Sequence, residues 1–299
     1  MVLLIVFIVL PFIIPMPLAY AIIIFGLLAL AFNILAGYAG YISFGHGLFF
    51  GTGAYVTGLC LRYLNLGWTS LLIALTTSAV LSIAVGAVAV KRSGAYFTLL
   101  TVAAGEILHF LVIQFKNITG GDDGLIGIPR PPILNYEVNI YQLYYLYIPI
   151  IMLSIIILKK IIQSPFGRIL LAIRDNEERV EFLGYNVYHA KLIAMLISGI
   201  FSALAGALYV IYSLYVSPLL VYWLFSGEVV FMTILGGYGT FYGPLLGAAI
   251  YILLKDFASK YALNWPLIVG ALFVIITLYR RYGILEIIKD VIEKMKVSR

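Results

Sequence analysis

Charged residues divide this chain into long apolar runs. Uncharged stretches cover 1–61, 63–90, 138–158, 192–227, 229–254 and 261–279, and the segment from Gly94 to Phe115 is interrupted only by Glu106 and His109. A helix needs about 20 apolar residues to cross a hydrocarbon core, so the opening run has room for three crossings. Pro11, Pro15, Pro17 and the glycine-bounded Gly37 to Gly40 punctuate it. No basic segment precedes it, so no cleavable signal peptide is expected.

Lys91 and Arg92, six Lys and Arg residues from Lys159 to Lys191, and six from Arg280 to Arg299 mark three cytoplasmic segments. Segment 116–137 sets Lys116 and Arg130 against Asp122, Asp123 and Glu137 and suits the outer face. Returning the basic C-terminus to the inside requires an odd number of crossings between 215 and 280, and GGYGTFYGP (Gly236 to Pro244) supplies the break. The pattern predicts an all-α, polytopic membrane protein of about ten transmembrane helices with both termini cytoplasmic. The spans fall near 3–16, 18–36, 42–61, 68–90, 94–115, 138–158, 191–214, 219–235, 241–257 and 262–280. An eight-helix version, with the short first and ninth spans re-entrant, stays open. The whole chain, 1–299, reads as one transmembrane domain.

Composition narrows the class. Of 299 residues, 63% are hydrophobic and 11% charged, against about 25% charged in a soluble domain. That excludes a disordered chain, a disulfide scaffold and a soluble enzyme. Cys60, the single cysteine, makes neither a disulfide nor a cysteine metal cluster. The net charge of +6 sits in loops between spans, where it sets topology and gives no reason to expect nucleic acid.

No GxxxxGK[ST] phosphate cradle, Cys/His metal spacing, GxSxG elbow or HExxH helix occurs. Neither a catalytic residue, a metal nor a cofactor is expected. The distinctive soluble segment is SPFGRILLAIRDNEERVEFLGYNVYHAK, 164–191. Ser164 and Pro165 read as an N-cap and first helical position, and Asp175 with Glu178 has capping-box spacing. A short helix over 175–183 follows, stopped at Gly184, with Val180 and Leu183 as its apolar edge. Its alternative is a helix on lipid headgroups, which Asp175, Glu177, Glu178 and Glu181 oppose on an anionic leaflet.

Five blocks carry a resemblance: NILAGYAGYISFGHGLFFGTGAY (33–55), SGAYFTLLTVAAGEIL (93–108), NITGGDDGLIGIP (117–129), residues 164–195, and ILGGYGTFYGPLLGA (234–248). In that order they resemble the permease subunits of ABC importers for branched-chain amino acids, over nearly the full length. The resemblance implies that 159–191 holds the loop that couples to a separate ATPase, with Arg174, Asp175, Asn176, Glu177 and Gly184 as its contact residues. It also implies two ABC ATPase subunits, a second homologous permease and an extracytoplasmic solute-binding protein, in a cell membrane. Cargo expectations are leucine, isoleucine and valine, then urea, amides or other amino acids. An ion-coupled carrier using Glu106 as its proton site is the alternative of another class, and a membrane enzyme is disfavoured by the lack of clustered catalytic groups.

Glu106 lies 12 residues past Gly94, about 18 Å along a helix and near the bilayer centre, and Glu228 reaches similar depth. A charge there costs about 2.5–3.5 kcal/mol, so each carboxylate faces protein or water. Either it meets the ammonium of a substrate on the translocation path, or it is a paired or protonated carboxylate locking helices. His109, three residues beyond Glu106, can pair with it. Asn33, Ser43 and His46 complete the path candidates; for His46 the competing reading is a hydrogen-bonded core residue. Gly120, Gly121, Asp122, Asp123 and Gly124 form a turn-rich external loop that reads as a receptor-docking surface. Two Asp residues are too few for calcium. Tyr141, Tyr144, Tyr145 and Tyr147 read as an aromatic belt at the lipid interface.

Overall fold

The run from Met16 to Asn33 carries no charge on any side, and it folds into the innermost helix, as an all-round apolar helix must. The computed structural model describes residues 2–132, 136, 138–261, 266, 267, 270, 271 and 274. In chain order the helices are α1 (Val2–Ile13), α2 (Met16–Asn33), α3 (His46–Tyr63), α4 (Ser70–Ala89), α5 (Ala95–Gln114) and α6 (Lys116–Thr119). They continue with α7 (Ile140–Gln163), α8 (Pro165–Asp175), α9 (Glu177–Phe182), α10 (Val187–Ser213), α11 (Trp223–Gly236) and α12 (Gly243–Tyr261). Among the described residues there is no strand; Leu125 and Val216 form an isolated antiparallel bridge. The chain is an all-α membrane protein.

Among the described residues, five helical runs are long and apolar enough to cross: Met16–Ala39, Gly67–Ala89, Ala95–Gln114, Ile140–Gln163 and Val187–Ser213. The expected tenth span, 262–280, and the basic tail after it lie almost wholly outside the described residues. α1 and α11 have 12 and 14 residues, about 18 and 21 Å of helix, less than the roughly 30 Å core. The expected span 219–235 shortens for a local reason. Ser217 accepts a hydrogen bond from Leu219 N at the start of a 3₁₀ turn, Pro218–Leu220, and Tyr222 is extended, so the helix begins only at Trp223.

α10 and α3 meet backbone to backbone. A Cβ on Gly206 would lie 1.9 Å from Phe50 O, and one on Gly53 2.1 Å from Ala203 O. Small residues at a membrane crossing allow this approach and its dispersion gain. α4 and α5, with only 22% of their apolar windows buried, lie at the periphery of the bundle. The tyrosines of α7 separate by helical spacing. Tyr141 and Tyr145 face outward, whereas Tyr144 and Tyr147 are fully buried against Tyr20 and donate to Phe7 O and Leu208 O. The belt reading is therefore corrected for two of the four: helical rotation turns these two inward.

His46 is enclosed where α3 begins. Its Nε2 lies 2.7 Å from Ser198 Oγ, and Ser198 donates to Ala31 O at 2.6 Å. Because the serine's one proton is committed to Ala31, the imidazole Nε2 carries a proton and donates. Phe32 and Phe49 meet the ring edge-on. Ser198→Ala leaves the buried His46 Nε2 on α3 without its partner, whereas Ala31 O keeps the Ile34 N–H, and should cost about 1–3 kcal/mol, read as earlier thermal unfolding in detergent.

Candidate functional site

The hydrophilic loop folds as two helices set at an angle. Pro165 opens α8 as expected, but Ser164 turns its hydroxyl back to Ile161 O and does not cap. The second helix is capped by Asn176, whose side chain accepts from Arg179 N at 2.9 Å, one residue later than the expected cap at Asp175. Gly184 ends it with φ +86°, a conformation that costs glycine little.

Three of the loop's charges turn toward the bundle: Glu177, Lys191 and Arg174. Glu177 accepts from the Tyr41 hydroxyl at 2.5 Å and pairs with Lys191, which is buried and lies over the Tyr41 ring. Burial pushes the Tyr41 phenol up, and the hydrogen bond and charge of Glu177 push it the same way, so it stays a donor. Arg174 donates to Gly37 O at 2.6 Å and stacks over Tyr238, 5.3 Å from the ring centroid. The outward surface of α9 is different. Phe182 is 90% exposed and Leu183 69%, beside Asp175, Asn176, Glu178 and Glu181. Only Val180 is buried, so the apolar edge expected of Val180 and Leu183 is split between bundle and water.

The turns that Arg174 grips are stapled to each other. Asn33, fully buried, donates to Thr240 O at 2.9 Å and accepts from Gly239 N at 3.1 Å. No side chain fits between them: a Cβ on Gly37 would lie 2.0 Å from Asn33 Oδ1 and 2.6 Å from Gly239 N. The clasp joins α8–α9 to the π-helical end of α2, Ile34–Ala39, and to the loop between α11 and α12.

α2, α10, α11 and α12, with the segment between α10 and α11, line a half-open cavity of about 620 Å³ beside the first half of α2. Ile24, Phe25, Phe225 and Ile252 give it apolar walls, while Tyr209, Tyr212, Tyr222 and Tyr251 lie around Glu228 and Lys255. Lys255 Nζ bonds both carboxylate oxygens of Glu228, at 2.9 and 2.8 Å.

Of the five intramembrane candidates, only Glu228 lines this cavity. Asn33 belongs to the clasp, Ser43 accepts from Gly45 N, and His46 sits in the helix packing. Glu106 lies one layer behind the cavity: its Oε2 is 3.8 Å from His109, whose ring packs on Tyr222, and its buried Oε1 has no hydrogen-bond partner. In the loop after α6, positive φ at Gly120, Gly121 and Gly124 shapes a turn that leaves Asp122 and Asp123 exposed. Two backbone bonds between Leu125 and Val216 tie it to the segment after α10.

Lys191, Tyr41, Tyr238 and Lys255 were not legible as site residues. The available signal was weak: single cations at the edges of apolar runs, at 191 and 255.

A helical membrane bundle with a polar lever clasped to the helices that line a cavity fits a membrane permease. The model of the family described as "Branched-chain amino acid transport system / permease component" matches residues 14–278, and the chain belongs to that family. Among similar proteins are the high-affinity branched-chain amino acid transport system permease proteins LivM of Salmonella typhimurium and Escherichia coli. Each is 27% identical over 287 residues, covering 88% of this chain and 68% of the relative. A probable branched-chain amino acid transport permease protein LivM of Methanocaldococcus jannaschii is 26% identical over 313 residues, 87% of this chain and 89% of that protein. No solved structure matches significantly.

Proposed function

We propose that this chain is the membrane-spanning subunit of an ATP-driven ABC importer that carries leucine, isoleucine and valine into the cytoplasm across the cell membrane. It is not an enzyme: two separate ABC ATPases hydrolyse the nucleotide, a second homologous permease completes the pathway, and an extracytoplasmic solute-binding protein delivers cargo. Residues 1–299 act as one transmembrane domain, with 159–191 at the cytoplasmic face and the loop at Gly120 to Gly124 meeting the receptor. The relatives' names support the cargo, and the lack of any phosphate cradle in the sequence supports a separate motor.

The observation that carries the reading is the clasp. Exposed Phe182 and Leu183 offer a partner a grip, and Arg174, Glu177 and Asn33 connect that grip to α2, to α10 and to the loop joining α11 and α12, the four helices that line the cavity. Rigid helices joined this way transmit a displacement at α9 to the cavity.

Proteoliposomes test it. The assembled transporter should take up leucine only with ATP and receptor, and the purified chain should be inert under a proton gradient; uptake by the chain alone overturns the reading. It would favour a carrier titrating Glu106, whose unpartnered buried oxygen is the observation in that alternative's favour. Urea uptake in preference to leucine would reassign the cargo. Asn33→Ala unstaples the two turns and should raise the ATP hydrolysed per leucine carried at least about threefold, because the motor then moves the lever without moving both walls.

A further inference from the structure

The Glu228–Lys255 pair stands on a cavity wall, not in a helix seam. Both residues line the 620 Å³ space, and their side chains keep 29% and 37% of their surface accessible. An ion pair between two apolar helices is an expensive way to hold them together, since apolar residues of the same volume do so at no electrostatic cost. α11 and α12 already have a tighter fastening: a Cβ on Gly247 would lie 1.9 Å from Met232 O, and one on Gly236 1.8 Å from Gly243 O.

We propose that Glu228 and Lys255 form a binding site for the zwitterionic head of a free α-amino acid with an apolar side chain. This rests on the importer reading and names what the cavity recognises. The α-ammonium and α-carboxylate of an amino acid are separated by one carbon, a span comparable to that between the two protein charges. Laid antiparallel against the pair, the ammonium meets the Glu228 carboxylate and the carboxylate meets the Lys255 ammonium. Four alternating charges result, and none is stranded in a low-dielectric space. Neither partner needs to leave the other, because a carboxylate accepts several hydrogen bonds. The side chain of the ligand then lies against Ile24, Phe25, Phe225 and Ile252, a branched apolar surface. The volume falls within the about 300–1,000 Å³ of small-molecule sites. Urea and simple amides carry no full charges and gain nothing from the pair.

The test is equilibrium binding of radiolabelled leucine to the purified full-length chain in lipid nanodiscs. Competitors are leucinamide, which lacks the carboxylate, 4-methylpentanoate, which lacks the ammonium, and urea. Leucine should bind about tenfold to a hundredfold tighter than either single-charge analogue, as expected for losing one charge-assisted contact, and urea should not compete. Lys255→Met should turn the preference toward leucinamide, and Glu228→Gln toward 4-methylpentanoate. Saturable leucine binding with that order supports the site. No saturable binding, equal affinity for all three organic ligands, or variants that lower thermal stability while leaving the order unchanged would overturn it. The wild-type order decides the case if a variant fails to fold. Leucine import by the assembled transporter, measured alongside, separates the failures: import without ordered binding removes the site and leaves the importer standing.

Discussion

Phe182→Asp is expected to abolish cargo-stimulated ATP turnover in the assembled transporter while leaving the thermal unfolding of the permease unchanged. The side chain is 90% exposed at the tip of α9; if it is held by a partner, its energy is spent between proteins and not within this one. A charge there is buried unpaired on docking, which costs several kcal/mol and empties the interface. Glu177→Arg is the informative contrast. Glu177 points the other way and neutralises buried Lys191, so its reversal puts two cations together against Tyr41. That should cost about 3 kcal/mol of stability, the lower end for breaking a buried pair because Glu177 keeps 36% of its side chain in water. Coupling should fail as well, since α9 loses its anchor. The double exchange Glu177→Lys with Lys191→Glu should recover stability. If Phe182→Asp retains full coupling, α9 is not the point of contact.

Gly206→Val should lower stability by at least about 3 kcal/mol, at or beyond the usual overpacking cost, because its first carbon lands on backbone. Phe50 O stands 1.9 Å from the Cβ position, and carbonyl oxygens cannot rotate away. α10 must then separate from α3, weakening the His46–Ser198 bond across the same crossing. Cys60 provides the readout. It is the only cysteine in the chain, it lies on α3, and it is 6% exposed, so a thiol-reactive fluorophore reports unfolding on heating. An unchanged midpoint would mean that the two backbones are not in contact.

Much of the fold was legible because hydropathy is a local property: each span announces itself in about twenty consecutive residues. α2, α4, α5, α7 and α10 lie close to where the pattern put them. Errors arose where a single residue redirected the backbone. Pro218 and the extended Tyr222 postponed α11, and Asn176 took the cap expected of Asp175. The site was less legible. Glu106 and Glu228 look alike in sequence, each a lone acid in an apolar run, yet one lies behind Tyr222 and the other lines the cavity beside a lysine 27 residues away. Arg174 and Glu177 were expected among the loop's contacts with a partner, and both turn inward.

The amino-acid sequence by itself determined that the chain lives in a membrane, the order of its apolar spans, its family, and that it carries no phosphate cradle of the P-loop kind. Each of these depends on composition or on motifs contiguous along the chain. Only the tertiary structure decided which charges stay on the outer surface, which face the cavity and which fasten the lever. The reason is rotational: a helix residue turns 100° from its neighbour, so its facing depends on packing against distant segments, as Asn33 shows in reaching Thr240 across 207 positions.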